Sequence, residues 1–194
     1  MNYLLAVLTD MINLILASDI TINHWLTLLR SDYYTRIFLN VTALGNSQII
    51  IGLLIIASLL FWLFNKKAFI APLLIAVAGS NLISDLSKLF FQRPRPLNPV
   101  YWETTFSFPS GHATAAMACY GFLMYFCFKN IKRSLDRNIF MASGLFLIIA
   151  IGFSRLYLGV HYLSDVIAGY LLGGLWLTLG IILAEYSLKK IKKA

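Results

Sequence analysis

Long apolar runs dominate this chain and leave it one plausible solvent, a lipid bilayer. Five of them, residues 49–64, 68–90, 113–128, 139–158 and 162–186, approach or reach the roughly 17 to 25 apolar residues that carry an α-helix across hydrocarbon. The first and third are short and borrow flanking residues to span. A sixth run, 3–17, is also short and carries Asp10 and Asn13, so it is either a span or an interfacial helix. No Lys or Arg precedes it, which makes it a poor signal peptide. Composition agrees: 59% of the 194 residues are hydrophobic and 12% charged, where soluble domains run near half and a quarter. The 16 Lys and Arg, 8 Asp and Glu and 3 His residues are too few to coat a water-soluble monomer. Soluble, disordered and fibrous classes are excluded. The expected fold is all-α, a multi-pass transmembrane helical bundle of six spans, or five if the first run does not cross, with residues 1–194 forming a single integral-membrane domain.

The net charge of +8 does not point to nucleic acid, because the basic residues sit in short clusters between apolar runs and not on one solvated face. Ten of the sixteen fall in the 65–67 turn, the 129–137 loop and the tail of Lys189, Lys190, Lys192 and Lys193. Alternating spans put all three on one side, which the excess of Lys and Arg makes cytoplasmic. The opposite side then holds residues 19–48, the 92–110 loop and the turn at 159–161. In the first of these, Ile22, Trp25, Leu26 and Leu29 follow the i, i+3, i+4, i+7 spacing of one helical face. That stripe is either an amphipathic helix on the outer leaflet, anchored by Trp25 with Tyr33 and Tyr34, or a covered loop helix. Cys119 and Cys127 stand eight positions apart in one run, about 12 Å along a helix, too far to bridge.

Charged groups at the mouth of a span are costly and invite a functional reading. They collect at the outer side. Lys88 ends one span, with Arg95 and Pro96 after six residues. Pro109, Ser110, Gly111 and His112 open the next. Ser154 and Arg155 end the one after, followed by His161 and then Asp165. Lys88, Arg95 and Arg155 supply three cations, two of them guanidinium forks suited to phosphate oxygens. Ser110 and Gly111 lie where a helix begins, so free backbone N–H groups and the helix dipole point at an anion. His161 and Asp165, at i and i+4, share a helix face; the carboxylate can hold one ring nitrogen's proton and leave the other free to attack. His112 can protonate a leaving oxygen and later activate water. His112, His161 and Asp165 are also potential metal ligands, but three cations crowding the same cavity would repel a metal ion, so none is expected.

These strings resemble the signature of the type 2 phosphatidic acid phosphatase superfamily: Lys, six residues, Arg-Pro; then Pro-Ser-Gly-His; then Ser-Arg, five residues, His, three residues, Asp. Eleven fixed positions between Lys88 and Asp165 match in order and without a departure. The resemblance implies a membrane lipid phosphatase with a phosphohistidine at His161, Asp165 as its orienting partner, His112 as general acid, and Lys88, Arg95, Ser110, Gly111 and Arg155 as phosphate ligands. It also implies no metal or other cofactor. The partners it implies are a lipid phosphate and the surrounding lipids: phosphatidic acid, phosphatidylglycerophosphate or undecaprenyl diphosphate, met at the outer, periplasmic face of the cytoplasmic membrane. An outer-leaflet lipid A phosphatase is the alternative enzyme. A non-catalytic lipid-phosphate binder or transporter is the other, and it would need the cations but neither nucleophile nor acid. The sequence leaves the oligomeric state open.

Several residues outside the motifs carry expectations of their own. Asp85, one turn before Lys88, reads as its neutralising or tuning partner. Arg93 reads as solvated or headgroup-facing, Glu103 as surface, Tyr101 and Trp102 as interfacial anchors, and His24 as structural. Gly169 and Gly173 form a small-xxx-small pair for close helix packing.

Overall fold

The computed structural model describes residues 2–193, with side chains over residues 5–191. It consists of α1 (Asn2–Leu28), α2 (Asp32–Ala43), α3 (Ser47–Leu63), a 3-10 turn at Lys67–Phe69, α4 (Ile70–Phe91), α5 (Gly111–Asn130), α6 (Ser134–Tyr157) and α7 (Leu163–Lys193). No strand occurs among the described residues. Four segments are long and apolar enough to cross a membrane: Leu5–Leu28, Lys67–Phe91, Ser134–Tyr157 and Leu163–Ile191. The pair α2 and α3, bent by 44° at their junction, makes a fifth if taken together. The chain is a multi-pass helical bundle of four or five such spans, five being the lower of the two counts expected and six exceeding what the helices supply.

The helix that falls short is α5, and its place explains why. It packs between α4, α6 and α7, with Ala113, Thr114, Ala115, Ala116, Ala118, Cys119, Gly121 and Phe122 buried. A helix walled in by other helices need not be lipophilic; it needs small side chains, since within lipid the drive to associate is close packing. The partner face on α7 supplies Gly169 and Gly173, and a Cβ added to Gly173 would lie 2.5 Å from the Thr114 carbonyl oxygen. The glycine pair therefore serves internal packing.

The N-terminal region departs from expectation. The 3–17 run and the Ile22–Leu29 stripe are not two pieces but one continuous 27-residue helix, α1. No Gly or Pro interrupts them, and the Ser18 and Thr21 hydroxyls fold back onto the Leu14 and Ala17 carbonyls without breaking the turn. The amphipathic helix is instead α2. It starts at the Ser31 N-cap, whose Oγ accepts the Tyr34 N–H, and it seats Phe38 against Phe153 and Tyr157 of α6. Trp25, Tyr33 and Tyr34 are exposed, as anchors would be.

The basic clusters lie together at one end of the bundle. Lys66 and Phe64 line a cavity with Cys127, Asn130 and Phe140, and Lys129 at the end of α5 pairs with Glu185 near the end of α7. The side chains of Lys192 and Lys193 lie outside the described residues. At the other end, α2, the 93–110 loop and the α6–α7 turn meet.

Candidate active site

Local backbone chemistry aims each functional side chain. Gln92, at φ 45°, ends α4 one turn past Lys88 and launches the loop that carries Arg93 and Arg95. Gly159, at φ +67°, ends α6; the left-handed region suits a residue without Cβ. A Cβ there would lie 2.1 Å from Arg30 Nη2, so the turn is crowded as well as left-handed. The Val160 N–H then returns to the Arg155 carbonyl, which folds His161 back over Arg155. Asp165, in the first turn of α7, accepts the Tyr162 N–H on Oδ2 at 2.9 Å, closing that turn as a cap.

These elements enclose a cavity of about 380 Å³. Lys88, Glu103, Gly111, His112 and His161 line its polar end, and Ile50, Ile51 and Leu54 of α3 with Val77 of α4 line its apolar end. Ile51 is also exposed on the outside of the bundle, so the apolar end lies beside the membrane-facing surface. A chamber with cations at one end and aliphatic walls at the other suits a headgroup and the start of its tail.

All eight residues singled out by the motifs converge here. His161 is 2% exposed; its Nε2 stands 3.2 Å from Arg95 Nη1, and its Nδ1 lies 3.5 Å from Asp165 Oδ2. That contact is long and leaves Nδ1 without a hydrogen-bond partner. Burial first, then the positive charge of Arg155 and Arg95, pushes the His161 imidazole well below the usual histidine range, so the ring is neutral. His112 meets Asn46 Oδ1 through Nε2 at 2.6 Å. Lys88 Nζ reaches Asp85 at 3.5 Å and would lie 3.4 Å from a Cβ on Gly111. Arg155 is fully buried, donating to Thr42 Oγ1 at 2.7 Å, to the Tyr101 hydroxyl and to Glu103.

One expectation for the helix start changes. The Ser110 N–H is already donated to the Asp165 carbonyl at 3.0 Å, so it is not free for an anion. Ser110 offers its hydroxyl instead, which is buried and unpartnered. Gly111, as the first residue of α5, keeps an N–H with no intrahelical acceptor.

Other residues were placed wrongly by sequence reasoning. Glu103 is not a surface group: it bridges Arg155 and Arg95, with Oε2 2.6 Å from Arg95 Nη2. Burial works to raise its pKa, but the two guanidinium groups outweigh that and hold it below the usual carboxylate range. Tyr101 points into the site and not at an interface, while Trp102 is exposed. Arg93 is neither solvated nor headgroup-facing, since it is bound by Asp19 and Asp165. Sequence distance hid Thr42 and Asn46; the one local signal was Asn46, which precedes an apolar run as N-caps do. No group of three or more His, Cys, Asp or Glu side chains able to hold a metal ion occurs among the described residues.

With this site at the end of the helical bundle opposite the basic clusters, the chain can be placed among known proteins. A profile of the PAP2 superfamily matches residues 69–189, and the chain belongs to that superfamily. It is an enzyme, a membrane phosphatase that hydrolyses phosphate esters of lipids. Phosphatidylglycerophosphatase B of Bacillus subtilis is 30% identical over 165 residues, which cover 83% of this chain and 80% of that protein. Lipid phosphate phosphatase delta of Arabidopsis thaliana is 24% identical over 149 residues, covering 68% and 36%. Among solved structures, the transmembrane PAP2-type phosphatidylglycerolphosphate phosphatase from Bacillus subtilis superposes with a TM-score of 0.84 at 28% identity, over 90% of this chain and 88% of that one. LpxE from Aquifex aeolicus gives 0.68 at 25% identity, over 87% and 95%.

Proposed function

We propose that the whole chain acts as one domain that removes phosphate from a membrane lipid phosphate, with the glycerophospholipid phosphatidylglycerophosphate as first choice and phosphatidic acid and the polyprenyl lipid undecaprenyl diphosphate as related substrates. The observation that carries this is the cavity shared by His161, His112 and Lys88 at one end and the aliphatic side chains of α3 and α4 at the other. The likeness to the Bacillus subtilis enzyme supports the choice of headgroup. Lys88, Arg95, Arg155, the Ser110 hydroxyl and the Gly111 N–H hold the phosphate oxygens. His161 attacks phosphorus through Nε2 while Asp165 faces Nδ1, and the ester P–O bond breaks. His112 gives its proton to the departing alkoxide. It then takes a proton from the water that attacks the phosphohistidine, breaking the P–N bond and releasing phosphate. No step needs a metal. The basic end of the bundle faces the cytoplasm and the site opens at the outer face of the cytoplasmic membrane.

A panel assay tests this reading. Phosphate release from phosphatidylglycerophosphate, phosphatidic acid, undecaprenyl diphosphate and lipid A is compared by kcat/KM, in a strong chelator and with vanadate as inhibitor. The expected result is turnover that survives the chelator, is blocked by vanadate and is fastest on phosphatidylglycerophosphate. Preference for lipid A overturns the substrate, and complete loss on chelation overturns the metal-free chemistry.

A further inference from the structure

Behind the reacting histidine, away from the cavity wall, lies an ionic cluster that holds none of the phosphate ligands. Arg93 donates from Nη1 to Asp165 Oδ1 at 2.5 Å and to Ser164 Oγ at 2.7 Å, and from Nη2 to Asp19 Oδ2 at 2.7 Å. Its guanidinium lies 4.4 Å from the centre of the Tyr162 ring. Asp19 in turn accepts the Ser164 N–H on Oδ1 at 2.9 Å and the Ser164 hydroxyl on Oδ2. The Arg93 carbonyl is held by the N–H and hydroxyl of Ser107. Asp19 and Asp165 are 2% and 0% exposed.

Buried carboxylates persist only when paired and fully hydrogen-bonded, and a planar guanidinium that spans two of them fixes both orientations at once. Asp165 shows the consequence. Oδ1 is pinned by Arg93 and Oδ2 by the Tyr162 N–H, so Oδ2 stays turned toward His161 Nδ1. Arg93 is directed away from the substrate: its terminal nitrogens meet Asp19, Ser164 and Asp165, none of which lines the chamber. Asp19 comes from α1, a helix that is otherwise largely exposed.

We propose that Arg93 and Asp19 are positioning residues for phosphoryl transfer: Asp19 sets the guanidinium of Arg93, Arg93 sets the carboxylate of Asp165, and Asp165 aims the imidazole of His161. This rests on the reading of His161 as nucleophile and Asp165 as its orienting partner. It gives α1 a task in the chemistry although α1 contributes nothing to the cavity.

The test uses the full chain in detergent with phosphatidic acid as substrate and inorganic phosphate as competitor, comparing Arg93→Ala, Asp19→Asn, the double variant and Asp165→Asn. Misaimed reacting groups cost turnover and not binding, so Arg93→Ala is expected to lower kcat about a hundredfold and Asp19→Asn about tenfold. KM and the phosphate inhibition constant should stay unchanged in both. The double variant is expected to be no slower than Arg93→Ala, because both substitutions cut one chain of contacts. Normal kcat in Arg93→Ala and Asp19→Asn beside an impaired Asp165→Asn overturns the proposal. So does a phosphate inhibition constant that rises in step with the loss of kcat, the mark of a general structural or binding role. If Asp165→Asn turns over normally, the underlying reading of the His161–Asp165 pair fails instead. Should Arg93→Ala fail to fold, Asp19→Asn decides the matter by the same criteria.

Discussion

Two ionic clusters flank His161 and differ in charge balance and in access. The one facing the cavity joins two guanidinium groups, Arg95 and Arg155, to a single carboxylate, Glu103, whose side chain is 23% exposed. The one behind joins a single guanidinium, Arg93, to two carboxylates, Asp19 and Asp165, whose side chains are 3% and 0% exposed. The front carries a surplus of positive charge beside a chamber; the back carries a surplus of negative charge on two buried carboxylates. A phosphate needs the first, and an imidazole that becomes positive on phosphorylation needs the second. On the proposed mechanism, the comparison teaches that phosphate binding gathers at the Nε2 side of one ring and the ring's orientation is set at the Nδ1 side.

Variants can break that division. His161→Ala carries the largest expected effect: turnover falls by at least about ten-thousandfold, while competition by inorganic phosphate persists because the front cluster is intact. Steady-state release and phosphate competition check it, and near-normal turnover would remove His161 as nucleophile. Next comes Arg155→Ala, which takes a fully buried fork from the front. About a hundredfold loss of kcat/KM is expected, with a raised phosphate inhibition constant, the opposite signature to a substitution at Arg93. The pH profile is third. A histidine held below its ordinary range stays neutral and nucleophilic until pH falls through that lowered value. The acid limb that His161 contributes to the kcat/KM profile therefore lies below about pH 6.5. An acid limb centred at or above that pH would mean the ring is not screened from water as the structure places it.

How much of this was legible beforehand depends on how local each signal is. Lys88, Arg95, Ser110, Gly111, His112, Arg155, His161 and Asp165 sit at span ends, so membrane periodicity alone assigns them to one face, and the structure gathers all eight. Their partners carry no such mark. Ser164 and Asp19 are 145 residues apart, Arg155 and Thr42 are 113 apart, and Arg155 and Glu103 are 52 apart. Nothing in the residues around Glu103 separates a surface carboxylate from one that bridges two buried arginines; only folding the 93–110 loop inward does. At the helical level, apolar runs located α3 to α7, yet α1 was divided because its first apolar run stops at residue 17, just before Asp19. Asp19 breaks the pattern for a reason the sequence could not display: it is the anchor of the back cluster.

The smallest expected effect is at Glu103, and it sharpens the contrast most because its sign is opposite to that of Arg155→Ala. Glu103 is ionised across neutral pH, since Arg155 and Arg95 hold it below the usual carboxylate range against the pull of burial. Its oxygens occupy the same two guanidinium groups that an incoming phosphate would use, so carboxylate and phosphate compete for them. Glu103→Gln keeps the size of the side chain and removes the charge. The inhibition constant for inorganic phosphate is then expected to fall about three- to tenfold, the net size of one ordinary hydrogen bond. His161 gains nothing directly from the change, so kcat should move less than phosphate affinity does. An unchanged inhibition constant would mean that the carboxylate and the phosphate do not share a place. A higher one would make Glu103 a support of the bound phosphate, and the front cluster would then be as permanent a scaffold as the back.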